Sequence, residues 1–296
     1  MAIILDGTAA AKRILLRIGE EISSLQIRPK LAIVFVGDNS ASEIYVRNKL
    51  TRARALGIDA QLVRLTAKST IGDILGTIER LNADPSVSGI IVQAPLPDNS
   101  MQSTVFNAIA AEKDVDGFSD RSIAKLVRGA SDGFISCTPL GICELLREFG
   151  IGISGKHIVV LGRSCIVGRP LSILLSQKSE NFNGTVTLCH SGTKNLASLT
   201  AMADIIVIAI GKKFFLKKHM LRPGVVVVDV GINREFDPNA GKYRIFGDAD
   251  FDGIRDMCYA ISPVPGGVGP MTVAMLMHNT LAAAKLQHLQ ADTAAL

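Results

Sequence analysis

The 296-residue sequence contains no tryptophan, only three tyrosines, and no apolar run close to the length of a membrane-spanning helix. Such a helix needs about 20 consecutive apolar residues. The mean hydropathy of +0.31 comes instead from short apolar runs, such as 205–210 and 225–228, which are typical of parallel strands covered on both faces. The chain is long enough for two domains of ordinary size, and we expect no membrane association.

Disulfide and metal-binding patterns are also missing. The five cysteines form no C-x-x-C pair and are odd in number, which favours reduced thiols in a cytoplasmic protein. The five histidines lack metal-ligand spacing, so we predict no metal site. The chain starts without a basic leader and reaches Asp6 too early for a signal peptide. The net charge of +5 is spread out and aromatics make up 5%, which suits an anionic small molecule better than nucleic acid.

Strand-like and helix-like segments alternate along the chain, which predicts an α/β fold made of βαβ units and parallel sheets. The first half has predicted strands at 31–36, 61–65 and 87–92 and predicted helices at 8–25, 40–56 and 70–81. A glycine-rich linker at 150–155 precedes a second series of strands at 157–161, 185–189, 204–210 and 225–230. A last helix is expected from 270 to about 289.

Several helix ends are predicted from their capping residues. Ser40 and Glu43 fit a capping box at the start of the helix 40–56. Gly57 fits the left-handed residue that ends that helix. Further on, Thr138 fits an N-cap with Pro139 at the first helical position.

Tyr45 and Lys49 lie four residues apart and therefore share one face of the predicted helix 40–56. They are close to the carboxyl end of the preceding strand, where ligands bind in open α/β sheets. A phenol one turn from an amine can stack on a flat ligand and exchange a proton with it. Gln93 follows the strand 87–92 and is expected at the same edge. On spacing alone, the alternatives are a solvated lysine with a half-buried tyrosine, and a glutamine that bonds the loop backbone.

The segment Lys113-Asp-Val-Asp-Gly117 places two carboxylates two residues apart before a glycine, a pattern common in surface turns. If one of these carboxylates is buried against a ligand, it can accept paired N–H bonds from a pterin-like ring. The spacing leaves both interpretations open.

The second series of strands opens with 157–161, then Gly162-Arg-Ser-Cys-Ile-Val-Gly168 and a helix. This layout is typical of nucleotide-binding βαβ units, with phosphate at the helix N-terminus, although the spacing is not G-x-G-x-x-G. The next strand ends without the Asp or Glu that an NAD ribose would require. Arg163, Ser191 and Lys194 suit a 2′-phosphate instead, which favours NADP; an ordinary polar loop is the alternative.

These motifs occur in one order with GIIVQAPLP at 89–97, CTPLG at 137–141 and PVPGGVGPMTVAML at 263–276. The series strongly resembles the bifunctional methylenetetrahydrofolate dehydrogenase/methenyltetrahydrofolate cyclohydrolase family. The resemblance runs from Asp6 to about Ala284 and departs from the usual pattern at Ala94, Ser262 and Lys213. It implies oxidation of 5,10-methylenetetrahydrofolate with NADP⁺, followed by hydrolysis to 10-formyltetrahydrofolate.

The resemblance also implies roles for individual residues. Tyr45 stacks on the aminobenzoyl part of the folate, Lys49 is the catalytic lysine, Gln93 is its amide partner, and Asp116 holds the pterin ring. The implied cofactor-binding positions are Gly162, Arg163, Ser164, Gly168, Ser191 and Ile232. A folate-binding catalytic domain at 1–139 plus 273–296, a Rossmann-type NADP-binding domain at 140–272, a last helix returning to the first domain, and a homodimer are expected.

Two other functional classes would also carry a nucleotide-binding turn. A shikimate-dehydrogenase-like NADP oxidoreductase would keep the nucleotide turn but would have no reason to carry Gln93 and Asp116. A non-catalytic nucleotide-binding protein would bind NADP without any folate-dependent signal. The combination of Tyr45, Lys49, Gln93 and Asp116 argues against it.

Overall fold

The structure, a computed structural model, describes residues 2–237 and 241–294. Contacts divide the chain into two units, named here after their sheets. The three-strand unit joins Arg13–Cys137 to Val273–Leu296, and the six-strand unit joins Met1–Lys12 to Thr138–Thr272. This division differs from the predicted domain boundaries in residues 1–12 and 138–139, which group with the six-strand unit. The first of these segments does so because its short strand joins the six-stranded sheet.

The secondary structure follows the predicted alternation of strands and helices. The strands are β1 (Ile3–Ile4), β2 (Lys30–Val36), β3 (Asp59–Leu65), β4 (Gly89–Val92), β5 (His157–Leu161), β6 (Thr185–Cys189), β7 (Ile205–Ile208), β8 (Val225–Asp229), β9 (Asn233–Asp237), β10 (Lys242–Phe246) and β11 (Cys258–Ile261). The helices are α1 (Gly7–Ser24), α2 (Ser40–Ala55), α3 (Ile71–Ala83), α4 (Gln102–Asn107), α5 (Asp120–Arg128), α6 (Cys137–Glu148), α7 (Gly168–Ser176), α8 (Leu196–Ala201), α9 (Phe251–Ile254) and α10 (Val268–Ala294). Within the described ranges, no helix has the length and apolar character needed to cross a membrane.

The three-strand unit is built on the parallel sheet β3-β2-β4. Its central strand, β2, is buried from Leu31 to Val36, as an uninterrupted apolar sequence predicts. The core contains aliphatic side chains of β2, β4 and α3, among them Val34, Ile78 and Ile90. Because parallel strands run in the same direction, β2 and β4 end at the same edge of the sheet. The segments that carry the predicted Lys49 and Gln93 positions both leave from this edge.

The predicted cap at the start of α2 is wrong by one residue. Asn39, rather than Ser40, is the N-cap, and its side chain accepts a hydrogen bond from the Ser42 N–H at 3.0 Å. Glu43 does not reach back to a capping N–H; its carboxylate pairs with Arg64 at 2.8 Å and with Arg47 at 3.2 Å. Asn is as good an N-cap as Ser, so local sequence alone allowed both positions.

Of the other two predicted helix-end residues, Gly57 has the predicted role and Thr138 does not. Gly57 has a φ of +83° just beyond α2, so the predicted left-handed stop is confirmed. Thr138 is not an N-cap, because α6 already begins at Cys137. The Thr138 hydroxyl instead forms a hydrogen bond of 3.0 Å with the Thr272 hydroxyl.

The six-strand unit contains the parallel sheet β1-β11-β8-β7-β5-β6. Its buried core is aliphatic, with Val159, Ile206 and Val227 on successive strands of the sheet. The antiparallel pair β9–β10 follows β8 and was not predicted as strands. Gly247 and Asp248 come directly after β10.

The C-terminal helix α10 returns to the three-strand unit, as predicted. Its residues from Val273 onwards group with that unit. The buried Asn279 side chain donates hydrogen bonds to the carbonyls of Val115 at 2.9 Å and Ile135 at 3.0 Å. Further along, Gln287 donates to the Ser88 carbonyl at 2.9 Å. The last helix therefore fixes the loop that contains residues 113–117.

Candidate functional site

Lys49 and Gln93 meet at the carboxyl edge of the three-stranded sheet. The Lys49 ammonium donates a hydrogen bond to Gln93 Oε1 at 3.1 Å. Gln93 Nε2 donates to the Ala94 carbonyl at 2.6 Å, and this second bond fixes which end of the carboxamide faces the amine. The Gln93 N–H donates to the Val34 carbonyl at 2.9 Å, so the glutamine is held as an extension of β4. Both side chains are half-buried.

Tyr45 lies one helical turn before Lys49 on α2. Its side chain is 38% exposed, and residues four apart on a helix are neighbours. The ring is therefore accessible beside the Lys49 amine and in position to stack on a flat molecule bound there.

The two carboxylates of the segment 113–117 have different environments. Asp114 is buried, and its oxygens accept hydrogen bonds from the backbone N–H groups of Gly117, Phe118 and Ser119 and from the Ser122 hydroxyl, at 2.7–3.3 Å. Asp116 is half-buried, and its carboxylate lies beside the Cys137 thiol, which interacts with it. Asp114 therefore shapes the turn, and Asp116 keeps acceptor capacity for a ligand.

Glycine is required at the end of this segment. Gly117 has a φ of +68°, and a Cβ there would lie 2.7 Å from the Ser136 nitrogen. The Ser136 hydroxyl also donates to the Gly117 carbonyl at 3.0 Å. The chain consequently turns tightly against 134–136 immediately after Asp116.

Asp116 is partly buried beside Cys137 and within range of the Lys49 charge. Burial raises the pKa of the Asp116 carboxyl above its ordinary value, and the positive charge of Lys49 opposes that rise. Burial also raises the pKa of the Cys137 thiol well above its ordinary value, and the charge of Asp116 adds to the effect. A carboxylate in such a setting gains from any ligand that offers it paired N–H donors.

Three residues near this site were not singled out from the sequence. The Cys137 thiol donates to the Val115 carbonyl at 3.3 Å, and Asn279 donates to the same carbonyl. Lys113 is buried at 6% exposure. Its ammonium donates to the carbonyls of Leu81, Asn82 and Asp84 at 2.7–3.2 Å, at the C-terminal end of α3. Burial lowers the pKa of Lys113. Nothing in the sequence around Lys113 indicates that its partners are carbonyls at the end of α3, about thirty residues upstream.

Replacing Lys113 by methionine is expected to lower the free energy of unfolding by about 2–4 kcal/mol, because the carbonyls at the end of α3 lose charge-assisted partners in a buried setting. Urea denaturation of the purified variant measures this change. Lys125→Met is the matched control, because Lys125 forms a more exposed pair with Asp132 that contributes at most about 1 kcal/mol. Equal losses in the two variants would contradict the assignment.

The six-strand unit carries the predicted nucleotide turn between β5 and α7. Gly162 has a φ of +116°, and a Cβ on it would lie 2.2 Å from the Ala209 carbonyl oxygen. A Cβ on Gly168 would lie 1.9 Å from the Gly162 carbonyl oxygen. The Ser164 hydroxyl accepts hydrogen bonds from the backbone N–H groups of Val167 at 3.2 Å and Gly168 at 3.4 Å. Bare backbone at the start of a helix fits the pyrophosphate of a dinucleotide.

The other predicted cofactor positions are at the surface of the same unit. Arg163, Ser191 and Lys194 are exposed, and Ile232 is 51% exposed directly after Gly231. The turn after β6 is shaped by its own residues, since the His190 N–H donates to the Thr193 hydroxyl at 2.9 Å. No carboxylate lies in this turn, 190–194, so its hydroxyl and cationic side chains fit a phosphate.

Comparison with family models matches both parts of the chain. The catalytic domain of tetrahydrofolate dehydrogenase/cyclohydrolase matches residues 5–116, and the NAD(P)-binding domain of the same family matches residues 136–288. A curated relative, the bifunctional protein FolD of Prosthecochloris aestuarii, is 50% identical over 255 residues, which is 86% of each chain.

Solved structures give the same result. The bifunctional FolD methylenetetrahydrofolate dehydrogenase/cyclohydrolase of Campylobacter jejuni is 41% identical with a TM-score of 0.90, covering 97% of this chain and 99% of that one. The Trypanosoma brucei FolD complexed with NADP and an inhibitor is 36% identical with a TM-score of 0.90, covering 96% and 98%. A shikimate dehydrogenase from Aquifex aeolicus is 14% identical with a TM-score of 0.52, which is a likeness of fold alone.

Proposed function

The chain belongs to the tetrahydrofolate dehydrogenase/cyclohydrolase family, and we propose that Lys49, Gln93, Tyr45 and Asp116 carry its chemistry. It is a bifunctional enzyme of one-carbon metabolism that oxidises 5,10-methylenetetrahydrofolate with NADP⁺ and hydrolyses the 5,10-methenyl product to 10-formyltetrahydrofolate. The observation that carries the residue assignment is the Lys49–Gln93 hydrogen bond of 3.1 Å beside the partly buried Asp116. The distant shikimate dehydrogenase likeness does not favour the alternative oxidoreductase.

Substrate binding relies on Asp116 and Tyr45. The Asp116 carboxylate accepts N–H bonds from the pterin ring, and because the group is partly buried these charge-assisted bonds are each worth about 1.5–3 kcal/mol. The Tyr45 ring stacks on the aminobenzoyl part of the folate. Together they hold the one-carbon bridge beside the Lys49 amine.

The oxidation step needs alignment more than acid–base chemistry. NADP⁺ held by the six-strand unit would supply the hydride acceptor, which is C4 of its nicotinamide ring. The methylene bridge loses only that hydride and becomes a methenyl amidinium cation, so no general base is required. Correct positioning alone can lower such a barrier by about 7–11 kcal/mol. Gly162, Arg163, Ser164, Gly168, Ser191 and Ile232 are the residues proposed to hold the dinucleotide.

The hydrolysis step assigns Lys49 its main role. Water adds to the bridge carbon of the methenyl cation, and the side-chain nitrogen of Lys49 accepts a proton from that water. The adduct then collapses with cleavage of the carbon–N5 bond, Lys49 returns a proton to N5, and the hydroxyl proton leaves as the formyl carbonyl forms. The net reaction consumes one water and releases one proton. Gln93 keeps the amine aimed at the bridge throughout.

The function is tested by mixing the purified chain with NADP⁺ and methylenetetrahydrofolate and recording NADPH and methenyl absorbance. We expect NADPH to accumulate while the methenyl signal rises and then falls as hydrolysis follows. Added methenyltetrahydrofolate should be hydrolysed faster than in buffer. No NADPH formation, or no acceleration of methenyl loss, would contradict the bifunctional assignment.

Arg163→Ala is expected to raise the Michaelis constant for NADP⁺ by about 10- to 100-fold while changing that for NAD⁺ much less, since a charge-assisted bond to the 2′-phosphate is lost. Steady-state dehydrogenase kinetics with each dinucleotide measure the two constants. Lys178→Ala, which removes another exposed cation of this unit, is the control and should change neither. If Arg163→Ala raised the Michaelis constants for NADP⁺ and NAD⁺ equally, the assignment of Arg163 to the 2′-phosphate would be wrong.

We also propose how the chain is organised and where it works. Residues 1–139 with 273–296 act as the folate-binding catalytic domain, and 140–272 act as the dinucleotide-binding domain. The protein works as a cytoplasmic homodimer on tetrahydrofolate substrates. Sedimentation of the purified chain distinguishes a dimer from a monomer.

A further inference from the structure

Asp248 is a buried carboxylate that the proposed mechanism does not use. Its side chain is 0% exposed and lies in the six-strand unit immediately after β10. Oδ2 accepts hydrogen bonds from the backbone N–H groups of Ile210 at 2.7 Å and Gly211 at 2.9 Å. Oδ1 accepts from the Lys212 N–H at 2.8 Å and from Asn233 Nδ2 at 2.9 Å. One carboxylate therefore holds three consecutive peptide groups after β7 and a side chain after β8.

A second buried carboxylate, Asp229, holds Asp248 in place. Asp229 is the last residue of β8, and its Oδ1 accepts from the Gly231 N–H at 2.8 Å and the Asp248 N–H at 3.0 Å. Its Oδ2 accepts from the Ala249 N–H at 2.8 Å. Among the described residues, neither aspartate forms an ion pair with a lysine or arginine. Asp229 therefore accepts from backbone N–H groups, and Asp248 accepts from backbone N–H groups and the Asn233 side chain.

Two glycines show how closely the backbone surrounds these carboxylates. A Cβ on Gly231 would lie 2.4 Å from the Asp248 carboxylate, and a Cβ on Gly247 would lie 2.0 Å from Asp229 Oδ2. The segment around Asp248 is also tied on its other side, because the Leu216 N–H donates to the Asp248 carbonyl at 3.1 Å. These contacts fix the position of Asp248, and the neighbouring loops pack against it.

The loops fixed by Asp248 border the proposed cofactor site. β5, β7 and β8 are neighbours in the parallel sheet, so the segments after them leave from one edge. Gly162 of the nucleotide turn packs on Ala209, directly before the first peptide group that Asp248 holds. Ile232, a proposed cofactor position, lies between Gly231 and Asn233, which are in contact with Asp229 and Asp248 respectively.

We propose that Asp248 is a positioning residue for NADP⁺: by holding the 210–212 peptides and Asn233, it fixes the shape of the loops that receive the dinucleotide. This inference rests on the proposed dinucleotide site but concerns a residue outside it. Asp248 acts only through the peptide groups and the Asn233 side chain that it holds. Hydrolysis of methenyltetrahydrofolate, assigned to the three-strand unit, does not depend on it.

Asp248→Asn is the most informative variant. The asparagine amide has the size of the carboxylate, but an NH₂ group replaces one oxygen, so two of the four groups that donate to Asp248 lose their acceptor. We expect the dissociation constant for NADP⁺, measured by isothermal titration calorimetry, to rise by about 10- to 100-fold. The Michaelis constant for NADP⁺ should rise in parallel, with a smaller effect on dehydrogenase kcat. Amide hydrogen exchange at 210–212 should accelerate without cofactor. Cyclohydrolase kcat/KM, assayed without NADP⁺, should stay within about twofold of wild type.

Asp114→Asn is the matched control, because Asp114 is a buried carboxylate with four donors in the other unit. It should leave the NADP⁺ dissociation constant unchanged and weaken the folate reactions instead. Asn233→Ala is a milder second variant that keeps Asp248 and should raise the NADP⁺ dissociation constant by about 2- to 10-fold.

The outcomes separate this inference from the proposed function. An unchanged NADP⁺ dissociation constant in folded Asp248→Asn, or a parallel loss of both activities, overturns the positioning role. If Asp248→Asn does not fold, an unchanged constant in Asn233→Ala overturns it. If the wild-type chain itself neither binds NADP⁺ nor hydrolyses methenyltetrahydrofolate, the proposed function fails instead.

Discussion

Replacing Lys49 by methionine is expected to lower cyclohydrolase kcat by about 10²- to 10⁴-fold, the usual contribution of a positioned proton-transfer group. Dehydrogenase turnover should fall much less, because loss of a hydride from the methylene bridge needs no base. Methionine preserves most of the length of the lysine side chain. The folate should therefore still stack on Tyr45, and α2 should keep its position. Both rates are obtained from one preparation by following NADPH formation and methenyl decay.

The control for this variant is Lys68→Met, which removes an exposed lysine of the same unit. It should leave both rates at the wild-type level, and circular dichroism should show both variants folded. If Lys49→Met lost both activities to the same extent, Lys49 would have to act in substrate binding or in hydride transfer, and the assignment of Lys49 to water activation would be wrong.

Replacing Asp116 by asparagine should instead damage both reactions by a similar factor, about 10²-fold or more in kcat/KM. The two reactions share the pterin-binding step, and the variant removes the charge that strengthens the paired N–H bonds. The Michaelis constants for methylene- and methenyltetrahydrofolate are the quantities to measure. The two variants should therefore differ. Lys49→Met should lower cyclohydrolase activity much more than dehydrogenase activity, whereas Asp116→Asn should lower both activities equally.

The pH dependence of the same Michaelis constants gives a second readout of Asp116. Burial raises the pKa of this carboxyl, with Lys49 opposing the rise, and the pterin N–H donors require the ionised form. Folate affinity should therefore be full above that raised pKa and decline as the pH falls through it. The transition should lie above the ordinary aspartate pKa of about 3.9 and should be missing in Asp116→Asn. Asp59→Asn, at the exposed start of β3, should keep the wild-type profile.

The parallel α/β fold was predictable because apolar strands and capped helices alternate along the sequence. The meeting of Lys49 with the end of β4 also follows from simple geometry, since parallel strands end at one edge of a sheet. The glycine turn at 162–168 was predictable as well, because an apolar strand precedes it and a helical pattern follows it in the sequence.

Other features depend on partners far away in sequence. The different environments of Asp114 and Asp116 follow from the turn closing on 117–122 and from Cys137, which the spacing of two carboxylates cannot encode. Lys113 bonds carbonyls about thirty residues upstream. Asn279 reaches the Val115 carbonyl from the C-terminal helix. The Asn39 cap was missed for a different reason, because Asn39 and Ser40 are both good N-caps.

Asp248 also depends on partners that are far away in the sequence. Its sequence context, Gly-Asp-Ala-Asp at 247–250, is that of an ordinary loop. Only the parallel sheet brings it against the peptides after β7 and β8. Its position leaves no sequence spacing to recognise, because three of its four hydrogen-bond partners are peptide N–H groups rather than side chains.

In the proposed complex, the Lys49 amine, held by Gln93, faces the one-carbon bridge of a folate whose pterin is bound to Asp116. A crystal structure of the chain with a non-reactive tetrahydrofolate analogue tests it most directly. We predict pterin N–H groups within hydrogen-bonding distance of the Asp116 carboxylate, the aminobenzoyl ring against Tyr45, and Lys49 Nζ beside the bridge position. An analogue bound with its pterin away from Asp116, or a Lys49 side chain turned from the bridge and from Gln93, would rule out the proposed roles of these residues.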